Sequence, residues 1–374
     1  MSRLDELIQE YCPDGVEYKE LKDVLTIKNG SDYKHLGSGD IPVYGSGGIM
    51  TYVDQYAYEK PSVLIPRKGS VDKLYYVETP FWNVDTIFYT DIDCNKVLPR
   101  YVYFCLQMEH LEQYNTAGGV PSLTQKVLNK VKIPVPPLPV QSEIVRILDN
   151  FTELTAELTA ELTARKKQYE YYTEQLMNFG DNVKMLTLGE IGSVKMCKRI
   201  LKSQTNTEGG IPFYKIGTFG REPDAFISEE VFEEYKEKYS YPKKGDILIS
   251  CSGTIGRTVV FDGEPAYFQD SNIVWLEHDE KIVTNKYLQY CYKKQPWQIS
   301  TGGTIARLYN DNILKARIPV PPIEEQERIV AILDRFDTLC NDISAGLPAE
   351  IEARQKQYEY YRDKLLTFKE LIAN

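Results

Sequence analysis

The residues that come nearest to a catalytic motif lie in the second half of the chain. Pro223-Asp224 is followed by Glu234-Tyr235-Lys236, which fits the loose PD…ExK pattern of nucleases, where carboxylates hold Mg²⁺ and a lysine assists the attacking water. That chemistry needs the ExK residues on a strand. The sequence SEEVFEEYKEKY is instead typical of a solvated, charged helix, and such short patterns often match by chance. We therefore expect a surface helix here and no nuclease centre.

Other catalytic patterns are missing from the sequence. It contains no phosphate-binding GxxxxGK[ST], no HExxH and no tetrapeptide like NPPY or DPPY. The histidines His35, His110 and His278 are isolated from one another, and we expect surface or locally bonded side chains at all three. The glycine pairs at 118–119 and 302–303 could cradle phosphates but are more typical of turns. We predict neither a catalytic residue nor a metal site.

A long segment occurs twice in the chain. Residues 133–179 begin IPVPP, continue QSEIVRILDNF and end RKKQYEYY and LMNF, whereas residues 318–368 begin IPVPP, continue QERIVAILDRF and end RQKQYEYY and LLTF. The prolines predict a stiff, extended entry, and the apolar residues that follow at steps of three and four predict a helix. Because each apolar stripe is narrow, its partner should be another helix. The two copies are therefore predicted to pack on each other.

The stripe of the second copy includes Ile343. Both stripes include tyrosines that we expect in the core between the helices rather than on a base-stacking surface: Tyr169, Tyr172, Tyr358 and Tyr361.

The two segments in front of these helices share an outline. GDIPVYGSGG corresponds to GGIPFYKIGT, and PSVLIPRKGSVD corresponds to GDILISCSGTIG. Both alternate apolar residues with Gly, Pro and Ser turns, which is typical of short strands, and helices such as YVYFCLQMEHLEQY lie among them. The predicted fold class is α+β, with two similar domains, two long helices that form a coiled coil, and an internal pseudo-twofold repeat.

The predicted domain boundaries follow from this repeat. Globular domains should occupy residues 1–137 and 183–322, and helical regions residues 138–182 and 323–374. Because the first helix leads from one domain to the other, the second must run back antiparallel. A helix of about 38 residues is roughly 57 Å long, so we expect it to hold the domains apart at a fixed distance.

Composition and charge agree with an ordinary globular protein. The chain is 42% hydrophobic and 26% charged, and its net charge is −10, most of it on the helical regions, so a basic surface would have to be a local patch. We expect no signal peptide and no membrane span. The seven cysteines include no CxxC pair, which is typical of thiols in a reducing cytoplasm.

The two repeats have diverged to different extents. The helical copies share QYEYY at 168–172 and 357–361, whereas the domains share almost none of the residues on their turns. Two helical segments of nearly identical sequence are suited to bind two copies of one partner. Two domains whose turns differ in sequence are suited to bind two different targets.

Several of these motifs together characterise one protein family. They are the glycine pairs with Leu123 and Leu308 shortly after them, Gln141 and Gln326 just after IPVPP, the TAEL repeat at 155–162, and both QYEYY segments. In these motifs and in their order, the chain resembles, over its full length, the specificity (S) subunits of type I restriction-modification enzymes. The resemblance implies two target-recognition domains, each of which reads one half of a bipartite site in double-stranded DNA.

The resemblance also implies partners and cofactors. The helices would dock two methyltransferase (M) subunits, with restriction (R) subunits joining the larger complex. This chain would be non-catalytic and bind no cofactor, since S-adenosylmethionine, ATP and Mg²⁺ would belong to the partner subunits. The alternative is a chain that itself cuts or methylates DNA, and the missing cofactor motifs argue against it.

Candidate DNA contacts come from turns that combine glycine with hydroxyl, amide and cationic groups. Hydroxyls and lysines mostly position the DNA backbone, whereas arginines and amides can read base edges. In the first domain the candidates are Tyr44, Ser46, Arg67, Lys68, Ser70, Asn83, Thr116, Ser122 and Lys126. In the second domain they are Lys215, Thr218, Arg221, Ser252, Thr254, Arg257, Asn272, Thr304 and Arg307.

The second helical copy differs from the first in one respect. It holds four more residues and contains Gly346-Leu347-Pro348 where the first has uninterrupted TAEL. Glycine followed closely by proline is typical of one helix ending and another beginning. We therefore predict a break here, and the extra residues either lengthen the arm or form the break itself.

Overall fold

The computed structural model describes residues 2–115, 122–299 and 306–371. The chain divides into two compact units. The first comprises Met1–Glu161 and Pro348–Asn374, and the second comprises Leu162–Leu347. Both divisions fall within the helical regions, so they do not test the predicted boundaries of the globular domains, which stay predictions.

The first unit contains helices and strands in alternation. Its helices are α1 (Arg3–Tyr11), α2 (Leu21–Val24), α3 (Pro99–Met108), α4 (Gln125–Leu128) and the first part of α5 (Leu138–Leu176). Its strands are β1 (Tyr18–Glu20), β2 (Leu25–Asn29), β3 (Ile41–Gly45), β4 (Gly48–Val53), β5 (Ser62–Pro66), β6 (Tyr75–Val77), β7 (Trp82–Asn83), β8 (Ile87–Ile92) and β9 (Lys132–Pro134).

The second unit contains a similar series. Its helices are the last part of α5, α6 (Leu188–Ile191), α7 (Glu229–Lys238), α8 (Asn285–Lys293), α9 (Asn310–Lys315) and α10 (Ile323–Asn341). Its strands are β10 (Lys184–Thr187), β11 (Ser193–Lys195), β12 (Ile211–Tyr214), β13 (Phe226–Ile227), β14 (Ile247–Ser250), β15 (Thr258–Val260), β16 (Tyr267–Phe268), β17 (Ile273–Glu277) and β18 (Arg317–Val320). Helix α11 (Leu347–Leu366) then lies almost wholly in the first unit.

The sheets of the two units have the same topology. The order β2-β8-β5-β6 in the first unit matches β11-β17-β14-β15 in the second, and β4-β3-β7 matches β13-β12-β16. The pairs β3·β7 and β12·β16 are both parallel. The inner strands β5 and β14 are buried along their whole length, as expected for apolar runs covered on both faces. The predicted α+β repeat is thus confirmed.

Helix α5 is the predicted first arm and has 39 residues. In the first unit Phe151 of α5 stacks on Tyr361 of α11 at 5.4 Å between ring centroids. In the second unit Tyr169 and Tyr172 stack on Phe336 of α10 at 6.0 and 5.5 Å. The chain leaves the first unit through α5 and returns through α10 and then α11, so the arms are antiparallel, as predicted.

The second arm is broken where the sequence predicts it. Helix α10 ends at Asn341 and α11 begins at Leu347. A side chain at Gly346 would collide with the Thr338 carbonyl oxygen, which explains the glycine. The helices α10 and α11 have 19 and 20 residues, together as many as α5, so the extra residues form the break. Ile343 was predicted within the apolar stripe, but it lies in this break with 80% of its surface exposed.

Gln141 connects the start of α5 to the loop before α3. Its side chain is fully buried. The amide oxygen accepts from the Leu98 amide (2.8 Å), and the amide nitrogen donates to the carbonyls of Lys96 (3.0 Å) and Pro136 (2.7 Å). One side chain thereby connects the start of α5 to the loop before α3 and to the proline-rich segment before α5.

Gln326 makes the same three bonds at the start of α10. Its oxygen accepts from the Thr284 amide (2.9 Å), and its nitrogen donates to the carbonyls of Ile282 (2.8 Å) and Pro321 (2.9 Å). It is also fully buried. We call Gln141 and Gln326 with these bonds the glutamine clamps.

We predict that Gln141→Leu destabilises the first unit by roughly 2–5 kcal/mol, because a buried amide and two carbonyls lose their partners. Urea unfolding of the full chain measures the effect. The control is Gln355→Leu. Among the described residues Gln355 bonds only to Glu359, on the exposed face of α11, so this variant should change stability by less than about 0.5 kcal/mol. Equal stability of the two variants would contradict the role of the clamp.

Candidate nucleic-acid interface

A network of backbone hydrogen bonds joins three turns of the first unit. The Arg67 amide, just after β5, donates to the Thr86 carbonyl (2.8 Å), and the Leu123 amide donates to the Arg67 carbonyl (2.9 Å). The Ser46 amide, just after β3, donates to the Thr86 hydroxyl (3.3 Å). These bonds hold the turns together without using the side chains of Arg67 or Ser46.

Three further predicted residues flank this network. Lys68 is exposed and forms a β-bridge with Ser122. Gly69, with φ +78°, makes the turn between Lys68 and Ser70, a conformation that side chains rarely adopt. The structure thus brings together five residues predicted from the sequence: Ser46, Arg67, Lys68, Ser70 and Ser122.

Tyr44 and Asn83 belong to the interior of the sheet instead. The half-buried Tyr44 ring lies 5.9 Å from Tyr75 and 6.2 Å from Phe81, and burial raises the pKa of its hydroxyl. Asn83 is fully buried, and its amide donates to the Ile87 carbonyl (2.8 Å). The prediction of a DNA contact is corrected for Asn83, because its side chain is inaccessible and supports the β7–β8 turn.

The second unit repeats the same network. The Cys251 amide, just after β14, donates to the Asn272 carbonyl (2.7 Å), and the Leu308 amide donates to the Cys251 carbonyl (2.9 Å). The Ile216 amide, after β12, donates to the Gln269 side-chain oxygen (2.9 Å). The first two bonds repeat those of the first unit at corresponding backbone positions. The third joins the corresponding turns through a different residue, because Gln269 lies three residues before Asn272, whereas Thr86 accepts both bonds in the first unit.

The side chains on the two networks differ in charge. Cys251 occupies the position of Arg67, is fully buried, and burial raises the pKa of its thiol to about 11, so it is neutral at pH 7. Arg307, which precedes Leu308, occupies the position of Ser122. The cation therefore stands on a different turn in each unit.

A cavity of about 650 Å³ opens beside this network in the second unit. Its charged lining residues are Arg199, Lys202, Lys215, Arg307, Asp224 and Asp270. Arg199 pairs with Asp270 at 2.9 Å, and Lys215 pairs with Asp224 at 2.8 Å. The lining carries more cations than carboxylates, as a surface that binds a polyanion should.

Asn272 also lines the cavity, and its neighbour Ser252 donates its hydroxyl to the Asn272 side-chain oxygen (2.8 Å). Thr254 is exposed in the same turn, where its carbonyl accepts from the buried Ser250 hydroxyl (2.5 Å). Predicted contacts from distant parts of the sequence thus meet around the cavity: Lys215, Ser252, Asn272 and Arg307.

The structure does not bring the other predicted residues of the second unit into this cavity. Thr218 bonds through its hydroxyl to the Lys215 backbone (3.1 and 3.3 Å). Arg257 donates to the Gly220 carbonyl (2.9 Å), and Arg221 is exposed in the next turn. These three residues lie on the β12–β13 connection or pack on it, and they are not among the residues that line the cavity.

Three more predictions concern the ends of the globular segments. Lys126 is exposed on α4. Thr116 and Thr304 lie outside the described residues, as do both glycine pairs. The remaining candidate contacts stay predictions.

The sequence interpretation missed Arg199, Lys202 and Gln269, which all line the cavity. The cationic run KMCKRILKSQ at 195–204 was a signal for the first two. It carries neither the glycine nor the paired turn motif that guided the prediction. Gln269 gave no signal, because only the fold brings it under the Ile216 amide.

The nuclease pattern is not assembled. Glu234 and Lys236 lie on helix α7 as expected, where Glu234 pairs with Lys238 at 3.0 Å and the Lys236 ammonium lies 5.1 Å from the Phe232 ring. Asp224 is engaged by Lys215. Among the residues that the structure describes, no group of histidine, cysteine, aspartate and glutamate could hold a metal ion.

The histidines are locally bonded, as expected. His35 packs edge-on against Trp82 at 5.8 Å between ring centroids. The His278 Nε2 lies 2.9 Å from the Asn285 side-chain oxygen, and the His110 Nδ1 lies 3.3 Å from Glu112.

The duplicated QYEYY segments present the corresponding tyrosine to solvent, and the first segment also exposes 43% of Tyr172. Tyr171 of α5 is 58% exposed and Tyr360 of α11 is 61% exposed. Each lies edge-on to the tyrosine that follows it, at 5.5 Å to Tyr172 and 5.3 Å to Tyr361. Those following tyrosines stack on rings of the other arm, Tyr172 on Phe336 and Tyr361 on Phe151. Tyr361 is half-buried, whereas Tyr172 is largely exposed, so the predicted core position is wrong for Tyr172.

Comparison with known proteins agrees with this arrangement. A family described as "Type I restriction modification DNA specificity domain" matches residues 13–165 and 180–353. The Haemophilus influenzae protein S.HindORF215P, named as a type I restriction enzyme specificity subunit, is 51% identical over 369 residues, covering 94% of this chain and 96% of its own. The Escherichia coli EcoR124I/EcoR124II specificity subunit is 39% identical over 303 residues, covering 75% and 73%.

Solved structures show the same fold. The S subunit of a type I restriction-modification system from M. genitalium has a TM-score of 0.60 and 16% identity, covering 94% of this chain and 96% of its own. No helix among the described residues has the length and apolarity needed to cross a membrane. From the family match and the high identity to its relatives, the chain belongs to the specificity subunits of type I restriction-modification systems, which are non-catalytic DNA-recognition components.

Proposed function

We propose that this chain selects an asymmetric, bipartite DNA site, reads one half with each unit, and carries two copies of a methyltransferase subunit. The observation that supports this most directly is the hydrogen-bond network that recurs in both units with different side chains on it. One backbone framework with two sets of side chains suits two half-sites of different sequence.

The same proposal assigns the chemistry to other chains. The specificity subunit binds no cofactor of its own, and S-adenosylmethionine, ATP and Mg²⁺ act on the methyltransferase subunits and on the restriction subunits that join through them. It acts in the cytoplasm, where both the DNA and the reduced state of its seven unpaired cysteines are maintained.

The duplicated helical segments support two identical partners. Tyr171 and Tyr360 are large, exposed and equally supported, and exposed tyrosines are typical anchors of protein interfaces. Because one lies on α5 in the second unit and the other on α11 in the first, each unit offers the same contact once.

We predict that exchanging residues 1–137 for the corresponding segment of a relative with a different site changes one half-site and leaves the other unchanged. The reason is that each network is complete within its own unit. Mapping methylated sites in cells that express the chimera with the methyltransferase measures this. The unmodified chain is the control, and a simultaneous change in both halves would overturn the modular assignment.

We predict that native mass spectrometry of the co-expressed complex gives two methyltransferase copies per chain. Tyr171→Ser and Tyr360→Ser should each favour loss of one copy, and the double variant should lose both, because each removes one anchor. Tyr56→Ser is the matched control, since Tyr56 is 50% exposed but lies in a loop outside the arms. A one-to-one complex of the unmodified chain at saturating partner would contradict the proposal.

We predict that the TAEL repeat sets the length of the unread gap. Residues 155–162 lie within the continuous α5, and one more TAEL unit lengthens a helix by about 6 Å and turns it by roughly 40°. DNA rises about 3.4 Å per base pair. Inserting one unit should therefore change the gap by about one or two base pairs and leave both half-sites as they are.

Methylation mapping of the insertion variant measures the gap. The control is Leu158→Ala, which alters a half-buried leucine of the repeat without altering its length. An unchanged gap with full activity in the insertion variant would reduce the repeat to a plain spacer.

A further inference from the structure

Resting on the proposed function, we infer that Arg307 determines a guanine in the half-site that the second unit reads. Arg307 lines the cavity of that unit, and its Nη2 donates to the Ser271 carbonyl (2.8 Å). Its guanidinium also lies 5.9 Å from the Tyr309 ring centroid. The protein therefore fixes the position of the guanidinium. Its other N–H groups have no hydrogen-bond partner among the described residues and can serve a ligand in the cavity.

The remaining cations of the cavity are less suited to this role. Arg199 is held by Asp270 and Lys215 by Asp224, so their charges are already engaged. Among the described residues, Arg307 has no carboxylate partner. Lys202 is exposed, and an ammonium group acts as a point charge rather than as a planar fork.

The turn that holds Arg307 is particular to the second unit. In the first unit the Ile87 amide bonds back three residues to the Val84 carbonyl, whereas the Ile273 amide bonds back four residues to the Gln269 carbonyl. The second unit thus has one more residue in this turn.

Ser271 lies in the lengthened turn with φ +58°. A non-glycine residue in this conformation is strained and is retained where the surroundings require it. Here the turn supplies the carbonyl that orients Arg307, while the first unit has Ser122 at the position of Arg307 and has no such need. The extra residue and the strained backbone at Ser271 therefore serve together to orient Arg307.

Guanine is the base that an arginine held in this way fits best. An arginine fork donates two parallel hydrogen bonds to the O6 and N7 acceptors of guanine in the major groove, and this pairing discriminates against the other bases. A guanidinium whose position is set in advance loses less freedom on binding. Contact with a phosphate alone would not require a strained turn.

The test uses the complex of the full chain with its methyltransferase partner. Arg307→Lys keeps the charge but removes the fork, and Arg307→Gln removes both. Each should lower the preference for guanine at one position of one half-site on the order of 10- to 100-fold, measured by mapping methylated sites and by binding to oligonucleotides substituted at that position. The chimera of residues 1–137 identifies which half-site belongs to the second unit.

Arg317→Lys is the matched control. Arg317 also donates to a backbone carbonyl, that of Met185 (3.3 Å), but it lies on β18 away from the cavity. The Arg317→Lys variant should recognise the same DNA site, with the same affinity, as the unmodified chain. Urea unfolding of all variants confirms that they are folded, and the binding assay with substituted oligonucleotides needs only the folded fraction.

Two results would overturn the inference. If both Arg307 variants weaken binding equally on all sequences and reduce the salt dependence by about one phosphate contact, Arg307 binds the DNA backbone. If the site and affinity are unchanged, Arg307 has no role in recognition. Absence of any sequence-specific methylation by the unmodified complex would instead remove the proposed function, and the inference with it.

Discussion

The buried amides of Gln141 and Gln326 are the interactions on which the architecture depends most. A primary amide that is removed from water must find partners for both its oxygen and its nitrogen. Each glutamine does so by bonding to the proline-rich entry of its arm and to the loop before the neighbouring helix. Hydrogen bonding, which is directional, therefore defines where each arm leaves its unit. Packing between the helices adds to the stability of the arms, whose starting points the glutamine clamps define.

In the candidate DNA-binding surfaces, too, hydrogen bonds to the backbone set the arrangement, while the side chains are free to differ. The turns of each unit are joined mainly through backbone groups, as the amides of Arg67 and Cys251 illustrate. Backbone bonds persist when a side chain changes, so a half-buried arginine in one unit can correspond to a buried, neutral thiol in the other. The cationic position can then move to another turn, as it has at Arg307. Different surfaces thus arise on equal folds without rebuilding the core.

The arms show which part of a helix pair needs close packing. Aromatic stacking is concentrated near the globular parts, at Phe151 with Tyr361 and at Tyr169 with Phe336. Leu154 in the middle of α5 is 36% exposed, and the second arm is interrupted at residues 342–346.

The sequence by itself determined the repeat, the fold class, the helical arms, the break at Gly346 and the solvated helix around Glu234. These features depend on periodicity and on the backbone limits of glycine and proline, which act between near neighbours in the chain. Only the tertiary structure decided that Asn83 is buried, that Ile343 is exposed, and that Arg199 and Gln269 share a cavity with Arg307. Such contacts join residues tens of positions apart, and strand register and burial, which belong to the whole fold, determine them.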